Sequence, residues 1–294
     1  MSQDNIKSIS AKTLIGRIKN GPEPWFGTSY NLNLYRGCQH GCIYCDSRSK
    51  CYRIENFSEI LVKENALELM DKELSSFRKK GTIGFGSMND CYMPIEKERE
   101  MTRGALELAL KHKFPVHIIT KGDLVVRDID LLKKISKIYA AVSFTITAAD
   151  DKLSKKIEPG APPTSARLAA MKQLSDAGIY TGVTMMPILP SITDSPENIK
   201  SIVSLAASSG AKYILAAMGL TMRDGQREYM YDKFDQLFPG LKTQYKKRYG
   251  LKYQCNVPDA DLLYATFVQA CKKHKIKTRM DFFHGEQQEQ LSLF

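Results

Sequence analysis

The chain has 294 residues and a mass of 33.2 kDa, with 43% hydrophobic and 26% charged residues. These values are typical of a folded globular protein and exclude a disordered or fibrous chain; α/β barrels of this length are commonly one domain. The longest apolar runs are too short to cross a bilayer, which predicts a protein that does not span a membrane. Seven cysteines without a secretory signal predict reduced thiols and a cytoplasmic location.

The formal net charge is +11, and the isoelectric point is near 9.2. A basic surface of this size favours an anionic partner such as nucleic acid. Solvated lysines spread over the whole surface would give the same total. Charge alone therefore does not distinguish a nucleic-acid partner from a basic surface without such a partner.

The predicted elements alternate between strand and helix along most of the chain. Residues 1–30 form a short basic segment that runs into an irregular loop rich in glycine and proline. Hydrophobic periodicity then predicts strands over 31–35, 82–86, 115–120, 139–147, 180–188 and 213–218. It predicts helices over 57–79, 96–112, 128–138, 165–177 and 196–209. This alternation predicts right-handed βαβ units and a parallel sheet.

Beyond residue 220 the strand signal fades. Helical patterns cover 224–249 and 259–274. We interpret residues 221–285 as a helical C-terminal extension that closes the sheet structure, and residues 286–294 as a flexible tail.

Three cysteines, Cys38, Cys42 and Cys45, lie within eight residues, and glycines before the first and second let the loop curl tightly. Such a loop can hold three corners of a metal site. A closed zinc site takes four protein ligands, usually in two short-spaced pairs, and the sequence contains no second pair. An iron–sulfur cluster with one open iron fits better. Three incidental thiols, or a zinc loop completed by His40 or Cys51, are the alternatives.

The spacing C-x3-C-x-aromatic-C, with Tyr44 before the third cysteine, resembles the signature of the radical S-adenosylmethionine (SAM) superfamily. In that superfamily a [4Fe-4S] cluster binds SAM, and an electron from an external donor such as flavodoxin or ferredoxin cleaves SAM to a 5′-deoxyadenosyl radical. The resemblance implies a partial (β/α)6 TIM-type barrel over residues 31–220, with the chemistry at the carboxyl ends of its strands.

The resemblance also implies SAM contacts at those strand ends, in addition to Tyr44. Ser87 and Asn89 follow the second predicted strand, in the region that contacts the SAM amino group. Lys121 follows the third strand and is expected to pair with the SAM carboxylate. The hydroxyls of Ser143 and Thr145, on the fourth strand, are expected to bind the ribose. The alternative for the segment after the second strand is a simple tight turn, and the alternative for Lys121 is a solvated surface lysine.

Two charged residues beyond the fourth strand complete the predicted cofactor site. Glu158 and Arg167 are expected to form an ion pair that shapes the site, or to bind cofactor or substrate phosphate. A surface salt bridge is the alternative.

The order of the later motifs resembles the group that contains spore photoproduct lyase and the DNA repair photolyase-like proteins. The motifs are Asn89-Asp90-x-Tyr92-x-Pro94-x-Glu96, Thr102-Arg103, Thr120-Lys121, Arg127-Asp128, Glu158-Pro159, Arg167 and Pro187-x-x-Pro190. The similarity covers residues 30–220.

In spore photoproduct lyase the radical reverses a thymine dimer, and a cysteine after the second strand returns a hydrogen atom. That cysteine aligns with Ser87, whereas Cys91 lies four residues later, where close relatives carry proline. We predict that Asp90, Cys91 and Tyr92 lie near the substrate. Cys91 is a candidate hydrogen donor, a cluster-side ligand or a buried apolar cysteine.

The chain ends with Gln290, Leu291, Ser292, Leu293 and Phe294 after a polar run of four residues. This ending resembles the pentapeptide with which bacterial repair and replication proteins bind the sliding clamp. Its apolar side chains would fill the clamp pocket, and its glutamine would hydrogen-bond at the edge. Packing of the tail on its own barrel is the alternative.

Together these features predict a radical SAM enzyme that acts on DNA, by reversing a photolesion or by modifying a base. The same chemistry on RNA, protein or a metabolite is one alternative. A non-catalytic metal-containing module that binds nucleic acid or the clamp is the other.

Overall fold

A seven-stranded sheet lies at the centre of the computed structural model, which describes residues 6–54 and 56–285. The strands are β1 (Ile6–Ile9), β2 (Ile15–Arg17), β3 (Thr28–Leu32), β4 (Tyr35–Arg36), β5 (Ile60–Lys63), β6 (Thr82–Phe85), β7 (Val116–Thr120), β8 (Ala140–Thr145), β9 (Tyr180–Met185), β10 (Tyr213–Ala216), β11 (Gly219–Thr221) and β12 (Gln254–Asn256). The helices are α1 (Ala66–Ser76), α2 (Glu96–Arg99), α3 (Met101–Lys111), α4 (Ile129–Ile135), α5 (Asp151–Ile157), α6 (Thr164–Asp176), α7 (Pro196–Ser208), α8 (Gln226–Leu237), α9 (Leu241–Tyr249) and α10 (Ala260–Lys273).

The central sheet has the order β10-β9-β8-β7-β6-β3-β2. Six of these strands run parallel, and only β2 is antiparallel to its neighbour β3. Every residue of β6, β8 and β10 is buried, as expected for parallel strands covered on both faces. The predicted α/β fold with parallel strands in chain order is therefore confirmed, and the sheet does not close from β10 back to β2.

The first predicted helix is wrong over its first nine residues, 57–65, which is about two and a half turns. Ile60–Lys63 forms β5, which pairs parallel with β1 and antiparallel with β4, and the helix begins only at Ala66. The alternating burial of Ile60 and Val62 explains the strand, because period-2 burial suits a half-buried sheet. The N-terminal segment also carries β1 and β2, which composition had indicated as irregular.

The C-terminal part packs against the cysteine loop. A hydrophobic cluster joins Ile43 and Tyr44 of the loop to Met230 and Phe234 of α8 and to Tyr245 of α9. The sequence patterns did not predict the β11–β12 ribbon, in which β11 follows β10 in the chain and β12 follows α9. Within residues 6–54 and 56–285, no helix has the length and apolar character needed to cross a membrane.

Candidate active site

The cysteine loop follows β4 and is held by the turn that ends α5. The backbone N–H of Ile43 donates to the carbonyl of Ile157 at 2.9 Å, and the N–H of Gly160 donates to the carbonyl of His40 at 2.8 Å. A Cβ atom at Gly160 would overlap with the carbonyl oxygen of Gln39, so the close approach requires glycine. The loop is thereby fixed to the outer layer of the barrel.

The three thiols share one cavity of about 740 Å³ at the carboxyl ends of the central strands. Cys38, Cys42 and Cys45 all line it. The other predicted site residues that line it are Tyr44, Ser87, Asn89, Asp90, Lys121 and Thr145. Residues predicted from four separate segments are therefore brought to a single cavity.

Three of these residues are oriented by specific contacts. The amide of Asn89 donates to the carbonyl of Tyr35, and the hydroxyl of Ser87 lies 3.4 Å from the side-chain oxygen of Asn33. The ammonium of Lys121 lies 5.7 Å from the centre of the Tyr44 ring. These contacts place amide, hydroxyl and ammonium groups on the wall that faces the cysteine loop.

Asp90 connects the cysteine loop to the ends of β6 and β7. Its carboxylate accepts hydrogen bonds from the hydroxyl of Thr120 and the N–H of Lys121, both at 2.6 Å, and from the N–H of Tyr92 at 2.9 Å. The Nδ1 atom of His40 lies 3.3 Å away. Burial raises the pKa of Asp90, but His40 and the hydrogen bonds outweigh it and hold this pKa well below its usual value. The carboxylate therefore positions the site.

This lowered pKa predicts how stability depends on pH. A carboxyl whose folded pKa is depressed contributes stability above its unfolded pKa of about 3.9, and loses it as the pH falls toward the folded value. We expect the difference in unfolding free energy between the wild type and Asp90→Asn to be largest near pH 7 and to shrink below about pH 4. Urea denaturation from pH 3 to pH 7 checks this. A difference that stays constant across the range would contradict it.

Behind Tyr44 lies a buried ion pair. The hydroxyl of Tyr44 donates to Glu158, and the Glu158 carboxylate lies 2.6 Å from the guanidinium of Arg167. Arg167 also donates to the carbonyl of Thr145 at 2.9 Å. Both charged groups are almost fully buried, which excludes a surface salt bridge. Neither residue lines the cavity, so the structure supports the predicted ion pair, behind Tyr44, and not a direct cofactor ligand.

Ser143 is not brought to the cavity. It lies on β8 two residues before Thr145, where its hydroxyl bonds to Nε2 of His117 at 2.8 Å and to the hydroxyl of Tyr213 at 2.7 Å. Burial lowers the pKa of His117 to about 3, which keeps its imidazole neutral. Ser143 belongs to a polar layer deeper in the barrel, so the structure gives no support to its predicted ribose contact.

Cys91 and Tyr92 are also not brought to the cavity. The side chain of Asp90 faces the cysteine loop, and the next two side chains turn into the protein. Cys91 packs in the main hydrophobic core, where burial raises the pKa of its thiol. The hydroxyl of Tyr92 donates to Asp128 at 3.0 Å. Their predicted place near the substrate has no support here, and Cys91 is the buried apolar cysteine among its three alternatives.

The later sequence motifs form a charge network in which the carboxylates of Glu96 and Asp128 are buried and the arginines are partly exposed. Arg127 pairs with Glu96 at 2.8 Å and with Asp128 at 2.9 Å, and Arg103 pairs with Asp128 at 2.9 Å. Glu96 also accepts a hydrogen bond from the hydroxyl of Tyr35, directly before the cysteine loop. The motifs contain both acidic and basic residues, and this was the feature of the sequence that could have predicted the ion pairs.

The mouth of the cavity carries residues from distant segments that the sequence did not single out. Trp25 and Tyr264 are each 46% exposed, and the exposed side chains of Gln254 and Asn256 project from β12. Asp261, in the first turn of α10, also lines the mouth. Only the folded chain brings these residues together.

A parallel open barrel that holds a cysteine loop and a polar cavity at the carboxyl ends of its strands has the layout of a barrel enzyme with a metal centre. The family model of the radical SAM superfamily matches residues 32–206, more than half of the chain. The chain belongs to the radical SAM superfamily.

Two relatives show how far the sequence similarity extends. An uncharacterized protein of Methanocaldococcus jannaschii is 38% identical over 171 residues, which cover 57% of this chain and 63% of that protein. The match therefore spans less than two thirds of that relative. The radical SAM Nalpha-GlyT isomerase of Pseudomonas phage M6 is 25% identical over 193 residues, covering 65% of this chain and 40% of that protein.

Among solved structures, a spore photoproduct lyase mutant with bound S-adenosylmethionine and dinucleoside spore photoproduct superposes with a TM-score of 0.67. The match covers 92% of this chain and 79% of that chain at 15% identity. A likeness at this identity shows the fold, and it confirms the predicted partial barrel of the radical SAM type.

Radical SAM enzymes use a [4Fe-4S] cluster and SAM, and this chain therefore uses both. The three thiols fit a cluster because each faces the same cavity and each thiolate of a cluster binds a different iron. Within residues 6–54 and 56–285, no three His, Cys, Asp or Glu side chains lie close enough to hold one metal ion. The alternative fourth ligands are engaged elsewhere. Cys51 contacts Ser49 at 2.9 Å and Arg223 at 3.1 Å, and His40 contacts Asp90.

Gly37 gives a test of how the loop is held. Its φ is 80°, and a Cβ atom there would overlap with the carbonyl oxygen of Glu59. Gly178 has a φ of 82° with nothing within 4 Å of a Cβ atom. We expect Gly178→Ala to cost about 1 kcal/mol of backbone strain. Gly37→Ala should cost at least about twice that.

Urea denaturation and iron content per chain measure the two effects. Gly37→Ala should also lower the iron content, since the clash displaces the loop that holds Cys38. Equal losses of stability in the two variants, with unchanged iron, would show that the loop tolerates the displacement.

Proposed function

We propose that this radical SAM enzyme acts on a base of DNA, either reversing a photolesion or modifying the base. One observation carries the proposal: a single cavity runs from the three cluster thiols to a mouth with two exposed aromatic side chains and two exposed amides. Exposed aromatic rings stack on nucleic-acid bases. Asparagine and glutamine amides donate to and accept from base edges.

The charge of the chain and its similarities support the same substrate class. A net charge of +11 favours a polyanion. The spore photoproduct lyase with this fold was solved with a dinucleoside photoproduct bound. Asp261 is the exposed carboxylate at the mouth, and it would repel a phosphate but accept a hydrogen bond from a base N–H. A base rather than the backbone is therefore expected at this point.

Within this proposal the chain binds and orients the reacting groups. Cys38, Cys42 and Cys45 hold the cluster, which together with SAM supplies a radical able to remove hydrogen from an unactivated C–H bond. The residues proposed to contact SAM are Tyr44, Ser87, Asn89, Lys121 and Thr145. Asp90 and the Glu158–Arg167 pair position the walls of the cavity.

Two exposed tyrosines provide a matched test of the mouth. Tyr264 is 46% exposed and lines the cavity, whereas Tyr253 is 50% exposed and does not. Stacking contributes about 1–3 kcal/mol per base, so Tyr264→Ala should raise the KM for DNA by roughly 5- to 150-fold. Tyr253→Ala should leave it nearly unchanged.

The assay measures 5′-deoxyadenosine formed anaerobically with dithionite, with and without lesion-bearing DNA. SAM cleavage without DNA should be equal in the wild type and both variants. Equal KM values for DNA in the two variants would contradict the base-binding mouth. Stimulation by RNA or a small molecule, with none by DNA, would move the substrate to another class.

The proposed partners include an electron donor and the sliding clamp, and the proposed location is the cytoplasm, where thiols stay reduced. The clamp prediction concerns Gln290–Phe294, which lie outside the described residues. Deleting these five residues should reduce clamp affinity measured by surface plasmon resonance and leave SAM cleavage unchanged. Unchanged clamp affinity would reject the interaction.

A further inference from the structure

The segment that contains the cluster ligands carries more basic than acidic residues. From residue 36 to residue 55 it carries the cations Arg36, Arg48, Lys50 and Arg53 and two carboxylates, Asp46 and Glu55, of which Glu55 lies outside the described residues. Arg36 precedes Cys38 by two residues, so their Cα atoms lie within about 7 Å of each other. The positive charge of Arg36 therefore lies on the segment that holds the cluster.

Three of these cations lie on the outer side of the loop. Lys50 and Arg53 are exposed, and Arg36 is half-buried. The guanidinium of Arg36 donates to the carbonyls of Tyr52 at 3.4 Å and Arg53 at 3.2 Å, which draws Arg36 and Arg53 together. None of the three lines the cavity, so they stay accessible while the cavity is filled. We name Arg36, Lys50 and Arg53 the outer basic surface.

Neighbouring cations add to this charge. Lys63 lies near enough to Arg36 that, after burial, repulsion from Arg36 is the second cause lowering the Lys63 pKa. Arg48 stacks between the rings of Phe57 and Tyr229, at 4.6 and 3.9 Å, and is not presented outward.

Among the described residues, the nearby carboxylates only partly offset the positive charge of the surface. Asp46 lies 3.6 Å from Arg223, and Glu59 pairs with Lys7 at 2.6 Å. On the adjoining turn, the side chain of Glu228 accepts a hydrogen bond from the N–H of Gly225. Asp224 is a further acidic residue on this turn and is exposed. Its backbone carbonyl accepts a hydrogen bond from the backbone N–H of Lys50 at 3.0 Å.

We infer that the outer basic surface is the docking site of a small acidic one-electron carrier protein. SAM cleavage requires an electron from outside the chain, and a carrier must come close to the cluster to deliver it. In the step the reduced carrier loses one electron and the cluster gains one, and no bond forms or breaks. Complementary charge steers such an encounter and raises its rate. The inference rests on radical SAM chemistry and is independent of the DNA substrate.

Charge reversal on exposed side chains tests the surface. The test variant is Lys50→Glu/Arg53→Glu, and the matched control is Lys133→Glu/Lys134→Glu on α4, where both lysines are exposed and neither lines the cavity. The probe is an acidic flavodoxin, reduced chemically before the assay. Each protein is compared with dithionite and with reduced flavodoxin as the source of electrons, and flavodoxin binding is measured separately by calorimetry.

We expect the Lys50→Glu/Arg53→Glu variant to keep its dithionite-driven rate and to lose at least about 10-fold in flavodoxin-driven kcat/KM at low salt. Its affinity for flavodoxin should fall in parallel. Raising the ionic strength should bring the wild type toward the variant, because screening removes the steering. The control should match the wild type.

Three results would overturn the inference. Flavodoxin binding and flavodoxin-driven rates could stay unchanged in the test variant, or fall equally in the control. The test variant could instead lose affinity for DNA and keep its affinity for flavodoxin, which would assign the surface to nucleic acid. If the wild type cleaves no SAM even with dithionite, the catalytic function fails, and the calorimetric affinity still decides the docking site.

Discussion

Replacing Cys42 with alanine is expected to remove most of the iron from the protein and to abolish SAM cleavage. Cys42 is buried beside Tyr44 on the cavity wall, and no other thiol lines the cavity besides Cys38 and Cys45 among the described residues. Loss of a residue that only supports a metal ligand costs about 10- to 100-fold in affinity or activity, so loss of a ligand should cost at least about 100-fold. The same result is expected at Cys38 and Cys45.

Cys51 provides the matched control for this prediction. It is a free, exposed cysteine six residues beyond Cys45, with its thiol against Ser49 and Arg223. Cys51→Ala should keep the iron content and the rate of 5′-deoxyadenosine formation of the wild type after anaerobic reconstitution. Iron loss in Cys51→Ala equal to that in Cys42→Ala would contradict the assignment of three ligands and point to a site that includes Cys51.

Replacing Arg167 with methionine is expected to destabilise the protein strongly. The change leaves the Glu158 carboxylate buried without its partner, and breaking a buried pair in this way costs about 3–5 kcal/mol. In the wild type, burial raises the pKa of Glu158, but the charges of Arg167 and Lys121 outweigh it and lower this pKa overall. Tyr44 loses its support, so SAM affinity should fall as well.

A second variant separates the charge from the packing. Glu158→Gln/Arg167→Met removes both charges and should recover part of the stability lost in Arg167→Met. Lys172→Met, which breaks an exposed pair with Asp176 at 2.9 Å, should cost no more than about 1 kcal/mol. Urea denaturation of the four proteins measures this. A loss in Arg167→Met no larger than in Lys172→Met would show that the pair is not buried as described.

The parts of the fold that follow local patterns were predictable from the sequence. The parallel strands β6 to β10 are buried along most of their length because both faces are covered, and their largely apolar runs are visible in a single sequence. The three cysteines lie on one short loop, so their spacing alone indicated a cluster. Lys121 and Thr145 lie directly at strand ends, where the barrel layout places functional residues, and both reach the cavity.

Side-chain direction after a strand was not predictable in the same way. Asp90, Cys91 and Tyr92 are consecutive, yet only Asp90 faces the cavity, because it is drawn there by hydrogen bonds from Thr120 and Lys121. Those partners are thirty residues away in the chain. Alternation along a strand points Ser143 and Thr145 to the same side, but it does not indicate which of the two reaches the cavity.

The mouth of the cavity depends on contacts that no local pattern encodes. Trp25 precedes the barrel, Gln254 lies on a three-residue strand, and Tyr264 lies on the last described helix. These three segments meet only after the C-terminal part packs over the open sheet. The patterns of strand and helix therefore predicted the cluster end of the site and missed the end proposed to bind the base.

Hydrogen isotopes test most directly whether a DNA base is the substrate. The reconstituted protein is incubated anaerobically with reductant, SAM and lesion-bearing DNA whose bases carry deuterium at carbon, and the 5′-deoxyadenosine is analysed by mass spectrometry. We expect DNA to accelerate SAM cleavage and deuterium to appear in 5′-deoxyadenosine, because the hydrogen comes from the base. Rapid SAM cleavage without deuterium transfer from any DNA tested would contradict a DNA base as the substrate.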